Sequence, residues 1–472
     1  MSQAASARGP ATERLFIGLT ARRAETLPAP STAARIERQL AACLLDRYPD
    51  LAGFCTYDAA AGDFVPLSRG EADALLAGQS VDLQPTIVGR RRGRVERYVI
   101  GSARRLLLPK LAAVPSPLRP PLSGFLASVR RFVSAGFGVA GAALDALPRP
   151  TAAPPQPEQQ ATIAFTARDI LVLPSVAWDQ PGLFACAYRH RRVSGVGLLV
   201  YCHDASPLDR PQLLPPDRLR LLQAGFVDMA WSATRIVCAT EATRATLRRF
   251  IAAVGLPARP LGVIHPGIDP PSVPPPDRPA SLPPVLAGRF ALVVATIEPG
   301  CNHQLLYDLW VRLAENIPDR LIPLLFIGEA GWLSGDLIGI IRDDARVRGR
   351  LFVLPDQPDL ALAWLYRNCA FTLHPSLAGG WPRALVESLA LGKYCVASAI
   401  PANAELSQGL LELFDPFDFM AWHDEIRGLL TEPDRLAARE RRIATFRSRA
   451  WSSAGNALAA EIAACRAARA PA

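Results

Sequence analysis

From residue 169 onward, short apolar runs recur along the chain, each closing on a turn and each followed by a stretch with helical spacing of apolar residues. The first series includes "DILVLPS", "GVGLLVYCHD", "ATRIVCAT" and "LGVIHPG", with "ATRATLRRFIAAV" as a helix between the last two. The second includes "FALVVATIE", "LIPLLFIGE", "RLFVLPD", "CAFTLHPS" and "KYCVAS". Apolar runs this short read as strands buried on both faces, and parallel strands need a helical crossover between them. The pattern therefore predicts an α/β chain with two doubly wound units. A length of 472 residues, more than one core usually organises, agrees with that division.

Between the two series lies "DPPSVPPPDRPASLPP", residues 269–284, which can continue neither helix nor strand and reads as an interdomain hinge. The first unit, residues 1–268, opens with the strand "RLFIGLTARR" and the helix "STAARIERQLAACLLDRYP", for which Ser31 or Thr32 is the candidate N-cap. "AGFCTYDAAAGDFVPLS" reads as a hairpin, and a proline-punctuated insertion follows at about 85–160. The second unit covers 285–446, and a terminal helix occupies 447–472.

Charge is concentrated in the insertion. Between residues 90 and 149 there are twelve Arg or Lys against two acids, so the rest of a chain of net charge +9 is close to neutral. Such a surplus suits an acidic partner or is a solvated face. Aromatics are sparse there (Tyr98, Phe125, Phe132, Phe137) and no nucleic-acid signature accompanies them, which argues against nucleic acid. Peripheral contact with anionic membrane is the remaining expectation, with residues 132–144 either lying on a bilayer surface or forming a buried helix. The N-terminus lacks an apolar signal core and no run approaches about 20 apolar residues. Nine cysteines without a C-x-x-C pair or metal-ligand spacing suit a reducing compartment, so a cytoplasmic location is expected.

The chemistry concentrates at strand ends of the second unit. "ATIEPGCNHQLLYDLW" puts Thr296, Glu298, Gly300 and Asn302 at a turn that opens a helix, and "FIGEAGW" puts Gly328 at the next strand end. "LHPSLAGGWPRALVESLALGKYCVAS" places Gly379 and Gly380 before a helix carrying Arg383 and Glu387, which are four apart and share a face. A helix N-terminus behind small residues suits a diphosphate, and a carboxylate one turn in can accept ribose hydroxyls. A nucleotide diphosphate meets both requirements. The bland alternative is a glycine turn followed by a solvated ion pair.

These residues resemble the GT-B glycosyltransferases, specifically the retaining family 4, or group 1. The resemblance is carried by "LHPSLAGGWPRALVESLALGKYCVASAIPANAEL", "VVATIEPGCNH", "LLFIGEAGW", "LAWLYRNCAFTLHPS", "VIHPGID", "CHDASPL" and "SATRIVCATEATRATL", in the family's order. It implies two Rossmann-like domains facing a cleft, with the terminal helix crossing back to the first. It also implies that Glu387 holds the donor ribose and that Gly380, Trp381 and Pro382 form the loop whose amides approach the diphosphate. His203 would face the donor sugar accompanied by Asp204, and Arg35 would lie on the acceptor side. The implied substrate is a nucleotide-diphosphate sugar, mannose being one candidate, and the implied acceptor is a glycan or lipid-linked saccharide in polysaccharide or lipopolysaccharide biosynthesis. No cofactor and no metal are expected, and the chain has no D-x-D pair of aspartates.

Three positions depart from the family's pattern. Gly379 stands where a first glutamate is usual, Gly300 and Cys301 replace an Arg-Lys pair, and Thr32 replaces a glycine. A departing diphosphate concentrates negative charge, so the missing cations matter to the rate. Arg383 and His303 are the candidate substitutes. The sequence leaves open a retaining transferase, a scaffold that binds nucleotide or glycan without turnover, and a nucleotide-sugar epimerase on a related fold.

Overall fold

The computed structural model describes residues 13–20, 32–79, 162–175, 182–268 and 289–468, together with positions 81, 180, 278 and 282. The insertion at about 85–160, Ser31 and nearly all of the hinge at 269–284 lie outside the described residues.

The first domain contains β1 (Leu15–Gly18), α1 (Thr32–Arg47), β2 (Ala52–Asp58), β3 (Asp63–Leu67), α2 (Arg69–Leu76), β4 (Ile170–Leu173), α3 (Leu183–Ser194), β5 (Gly197–Cys202), α4 (Ser206–Asp209), α5 (Pro216–Ser232), β6 (Arg235–Cys238), α6 (Glu241–Val254) and β7 (Leu261–Val263). The strands order as β3-β2-β1-β4-β5-β6-β7, parallel except for the β2–β3 hairpin. Strands β4 and β5 are buried along their whole length, as their unbroken apolar composition requires.

The second domain contains β8 (Ala291–Val294), α7 (His303–Asn316), β9 (Leu324–Ile327), α8 (Gly335–Asp343), β10 (Leu351–Leu354), α9 (Asp359–Asn368), β11 (Phe371–His374), α10 (Arg383–Ala390), β12 (Cys395–Ser398), α11 (Pro401–Leu406), β13 (Leu413–Phe414), α12 (Phe419–Thr431) and α13 (Pro433–Ile443). Its six strands order as β10-β9-β8-β11-β12-β13 and every pairing is parallel. Both sheets thus reverse direction of growth once, between β1 and β4 in the first and between β8 and β11 in the second. In a doubly wound sheet that reversal opens a crevice beyond the carboxyl ends of the two strands. The residues after β8 and β11 are therefore where a ligand belongs.

The last helix, α14 (Trp451–Ala467), leaves the second domain and lies on the first. Its Leu458 and Ile462 join the core formed by β1, β4 and α1, and Gly455 lets it approach closely, since a Cβ there would sit 2.6 Å from that of Cys43. Arg235 of β6 pairs with Glu461 of this helix. Trp381 packs against the cores of both domains at once. None of the nine cysteines, all of them among the described residues, is joined in a disulfide. Among the described residues no helix is long and apolar enough to cross a membrane.

Candidate functional site

The loops after β8 and β11 are tied together, the Leu377 amide donating to the Gly300 carbonyl at 2.8 Å. Beside them, between the domains, runs a cleft with about 490 Å³ of space open to solvent, lined by Thr32, Arg35, Gln39, Trp381, Arg383 and Glu387 among others. Helix geometry brings Arg383 and Glu387 onto one face of α10, and the guanidinium Nε donates to Glu387 Oε1 at 2.6 Å. Both side chains are about one-fifth exposed. Burial lowers the affinity of Arg383 for its proton, but Glu387 and the Tyr366 ring beneath more than offset this and the guanidinium stays charged. The carboxylate at 387 lines the cleft already engaged by Arg383, with the Tyr366 hydroxyl as a second neighbour.

Arg35 reaches across the cleft to Asp359 at the start of α9, while its Nε is buried without a partner. Arg35, expected on the acceptor side, lines the cleft, and its charge bridges the two domains. Thr32 is the first residue of α1.

The loop 378–382 closes against the first domain. The Thr240 hydroxyl donates to the Gly380 carbonyl at 3.0 Å. A Cβ on Gly380 would lie 2.4 Å from the His203 carbonyl oxygen and 2.5 Å from Asp204 Cα, so only glycine permits this contact. One correction concerns the loop as a set of amides. Pro382 has no N–H to offer, and the Arg383 amide is spent on the Trp381 carbonyl at 2.9 Å. At Gly379, by contrast, a Cβ would meet nothing within 4 Å.

His203, at the end of β5, is half-buried, and its Nδ1 has no hydrogen-bond partner. Burial pushes its pKa down, partly countered by Asp204. Asp204 accepts from the Ser206 amide at 2.7 Å, which closes the first turn of α4. Opposite them, Glu298 carries a raised pKa because burial outweighs the attraction of Arg218, with Asp204 adding to the rise. Thr296 is exposed at the mouth of β8.

Other expected ligand residues also have local structural roles. Asn302 adopts a left-handed conformation, φ 56°, between the turn Pro299–Cys301 and α7, and its amide donates to the Pro416 carbonyl at 3.2 Å. Gly328 is buried where a Cβ would lie 2.1 Å from the Ala295 carbonyl oxygen, so the close approach of the two strand ends requires glycine there. Gly300 has room, its nearest neighbour being Leu213 of the first domain at 3.9 Å. Burial lifts the Cys301 thiol to about 12, far from a reactive thiolate.

His303 fails as a substitute cation. Both ring nitrogens are buried without partners, Phe326 packs against the ring at 4.7 Å, and burial with nearby His374 pushes its pKa down to about 4. His374 is likewise driven to about 4 by burial. Neither imidazole therefore supplies a cation near neutral pH, and the positive charges lining the cleft are those of Arg35 and Arg383.

Sequence reasoning missed Thr240 and Glu405. Glu405 of α11 accepts from the amides of Glu241 and Ala242 at 2.8 and 3.1 Å, so a carboxylate of one domain caps a helix of the other. No local spacing signals such a long-range cap.

Residues 279–446 match the family described as "Glycosyl transferases group 1". The chain is 24% identical over 258 residues to the O-antigen chain mannosyltransferase B of Escherichia coli, a match covering 53% of this chain and 66% of that relative. This chain thus spans just under two thirds of that protein's length. Among solved structures it resembles Anabaena Alr3699/HepE in complex with UDP, with a TM-score of 0.55 and 14% identity over 96% of this chain and 100% of that one. The same protein with UDP and glucose gives a TM-score of 0.56 at 13% identity, with the same coverage. At these identities the likeness concerns the fold, which is GT-B: two Rossmann-like domains facing a cleft.

Proposed function

With its second domain a member of the glycosyl transferases group 1 family, we propose that the chain transfers a sugar from a nucleotide-diphosphate donor to a glycan or lipid-linked saccharide. The observation that carries this reading is Glu387 held by Arg383 on the wall of an interdomain cleft, within the span matched to that family. Glu387 accepts from the ribose hydroxyls, and Arg383 sets a fixed positive charge beside the phosphates. His203 steadies the sugar. The mannosyltransferase relative and the UDP complexes of the Anabaena fold relative support a nucleotide-sugar donor; mannose is the sugar we test first.

Transfer proceeds with retention. The bond from the anomeric carbon to the phosphate oxygen breaks as the acceptor oxygen bonds to the same face, and the departing phosphate oxygen takes the acceptor's proton. The protein's part is to hold both partners in line and to stabilise the charge on the leaving group. No protein base and no metal or other cofactor enters this scheme.

One observation favours a second reading, a binding scaffold: Gly300 and Cys301 stand where the resembled family carries two cations, and Gly379 where it carries a carboxylate. A panel of nucleotide sugars, read by thermal shift and by donor hydrolysis, separates the two. Turnover with at least one donor, cut at least about a hundredfold by Glu387→Ala, supports the transferase. Binding that Glu387→Ala abolishes, without turnover across the panel, would establish the scaffold.

A further inference from the structure

On the outer edge of the first sheet, three groups of different chemistry meet. Asp63 opens the edge strand β3, and α3, which packs over that edge, contributes Cys186 and His190 from one face, four residues apart. One potential ligand atom from each lies within 4.8 Å of the other two. The Cys186 sulfur is 3.4 Å from Asp63 Oδ1, and His190 Nε2 is 2.5 Å from the same oxygen. Phe165 packs edge-on against the His190 ring at 5.0 Å, which fixes its tilt.

We propose that Asp63, Cys186 and His190 bind a zinc ion, outside the cleft and independent of sugar transfer. A thiolate, an imidazole and a carboxylate form a ligand set that zinc accepts, with water as a fourth ligand. Ligand atoms at zinc bond lengths in a tetrahedron stand roughly 3.3–3.7 Å apart. The sulfur-to-oxygen distance already fits, and the imidazole must withdraw by about 1 Å to admit the ion. Charge balances: the divalent cation meets one thiolate and one carboxylate, while the Cys186 proton leaves to solvent. Arg189, whose Nη2 donates to the sulfur at 3.2 Å and to Asp63 Oδ2 at 3.3 Å, gives way. Its side chain is 55% exposed and retains the Gly62 carbonyl as acceptor. Metal here ties an edge strand to the helix above it. The aspartate lies more than a hundred residues upstream of the helix, so no local spacing in the sequence shows the set.

The test titrates the reduced full-length chain, stripped with chelator, with Co²⁺ alone. One equivalent should produce a thiolate-to-cobalt charge-transfer band and the visible bands of tetrahedral Co²⁺, both removed by Zn²⁺. Cys186→Ser should abolish the charge-transfer band. His190→Gln should weaken Co²⁺ binding by more than the roughly 10–100-fold that losing a ligand's hydrogen-bonding neighbour costs. If Cys186→Ser does not fold, His190→Gln decides alone. The proposal falls if the wild type gives no saturable band, or if the band survives in either variant at undiminished affinity, which would place the metal on another of the cysteines.

Discussion

At the scale of single residues, the site is defined as much by what is small as by what is charged. Gly379 and Gly300 stand where the resembled family carries a carboxylate and a cation, and the surroundings of both leave room for side chains. Gly379→Glu meets no atom within 4 Å of its Cβ, and Gly300→Arg has only Leu213 near it. Both variants should fold with unchanged melting temperature. A cation fixed at the leaving group can contribute about 10²-fold or more to a transfer rate, so Gly300→Arg should raise donor turnover by roughly tenfold to a hundredfold. Steady-state release of nucleoside diphosphate measures this; a folded variant with no gain would mean that the leaving group departs elsewhere. Gly380 is the opposite case, because its missing side chain is what lets the two domains touch.

At the scale of elements, the strands and their doubly wound grouping followed from the sequence because each buried strand is a continuous apolar run, and such runs survive any tertiary context. Glu387 and Arg383 were legible for a similar local reason, four residues apart on one helix. Thr240, Glu405 and the Asp63 cluster were not, because each depends on neighbours far away in the chain. Glu425 is a further case. It is 2% exposed on α12, and it accepts from Arg435 at 2.6 Å, Arg439 at 2.9 Å and the Tyr394 hydroxyl at 3.1 Å, joining α12 to α13 and to the residue before β12. Burial raises its pKa, but the two arginines outweigh burial and hold it below its ordinary 4.5. A carboxylate with a depressed folded pKa contributes stability that is complete above the unfolded value and is lost as pH falls through the folded one. Stability should therefore decline below about pH 4.5, and Glu425→Gln should flatten that decline. Removing the carboxylate as Glu425→Ala should cost about 3 kcal/mol near neutral pH, since buried charges lose their partner. Urea unfolding at neutral and acid pH checks both; an unchanged pH dependence in Glu425→Gln would assign the acid loss to other carboxylates.

At the scale of the whole molecule, the two domains are held closed by a small set of polar contacts, with Trp381 between their cores. Glu405 caps α6 of the opposite domain, where its charge also meets the positive end of the helix. His265, which follows β7, shares the same carboxylate at 2.7 Å, and Arg449 reaches its Nδ1 at 2.5 Å. An arginine can only donate, so Nδ1 accepts and Nε2 carries the proton given to Glu405. The latch thus runs from arginine through a neutral histidine to a carboxylate and into a helix end. Losing a helix cap costs about 1–2 kcal/mol, which shifts an open–closed equilibrium by roughly 5–30-fold. Glu405→Ala should therefore open the molecule, read as a larger radius of gyration in solution scattering and a higher KM for donor. Gly380→Ala should open it for the opposite reason, by inserting a methyl group 2.4 Å from the His203 carbonyl oxygen. The two variants remove an attraction and add a repulsion at separate points of one interface. If closure assembles the transfer site, both lower kcat and both are larger in scattering. If Gly380→Ala alone loses activity while Glu405→Ala keeps wild-type dimensions, the cap is an incidental contact and closure rests on Trp381 and the loop around Gly380.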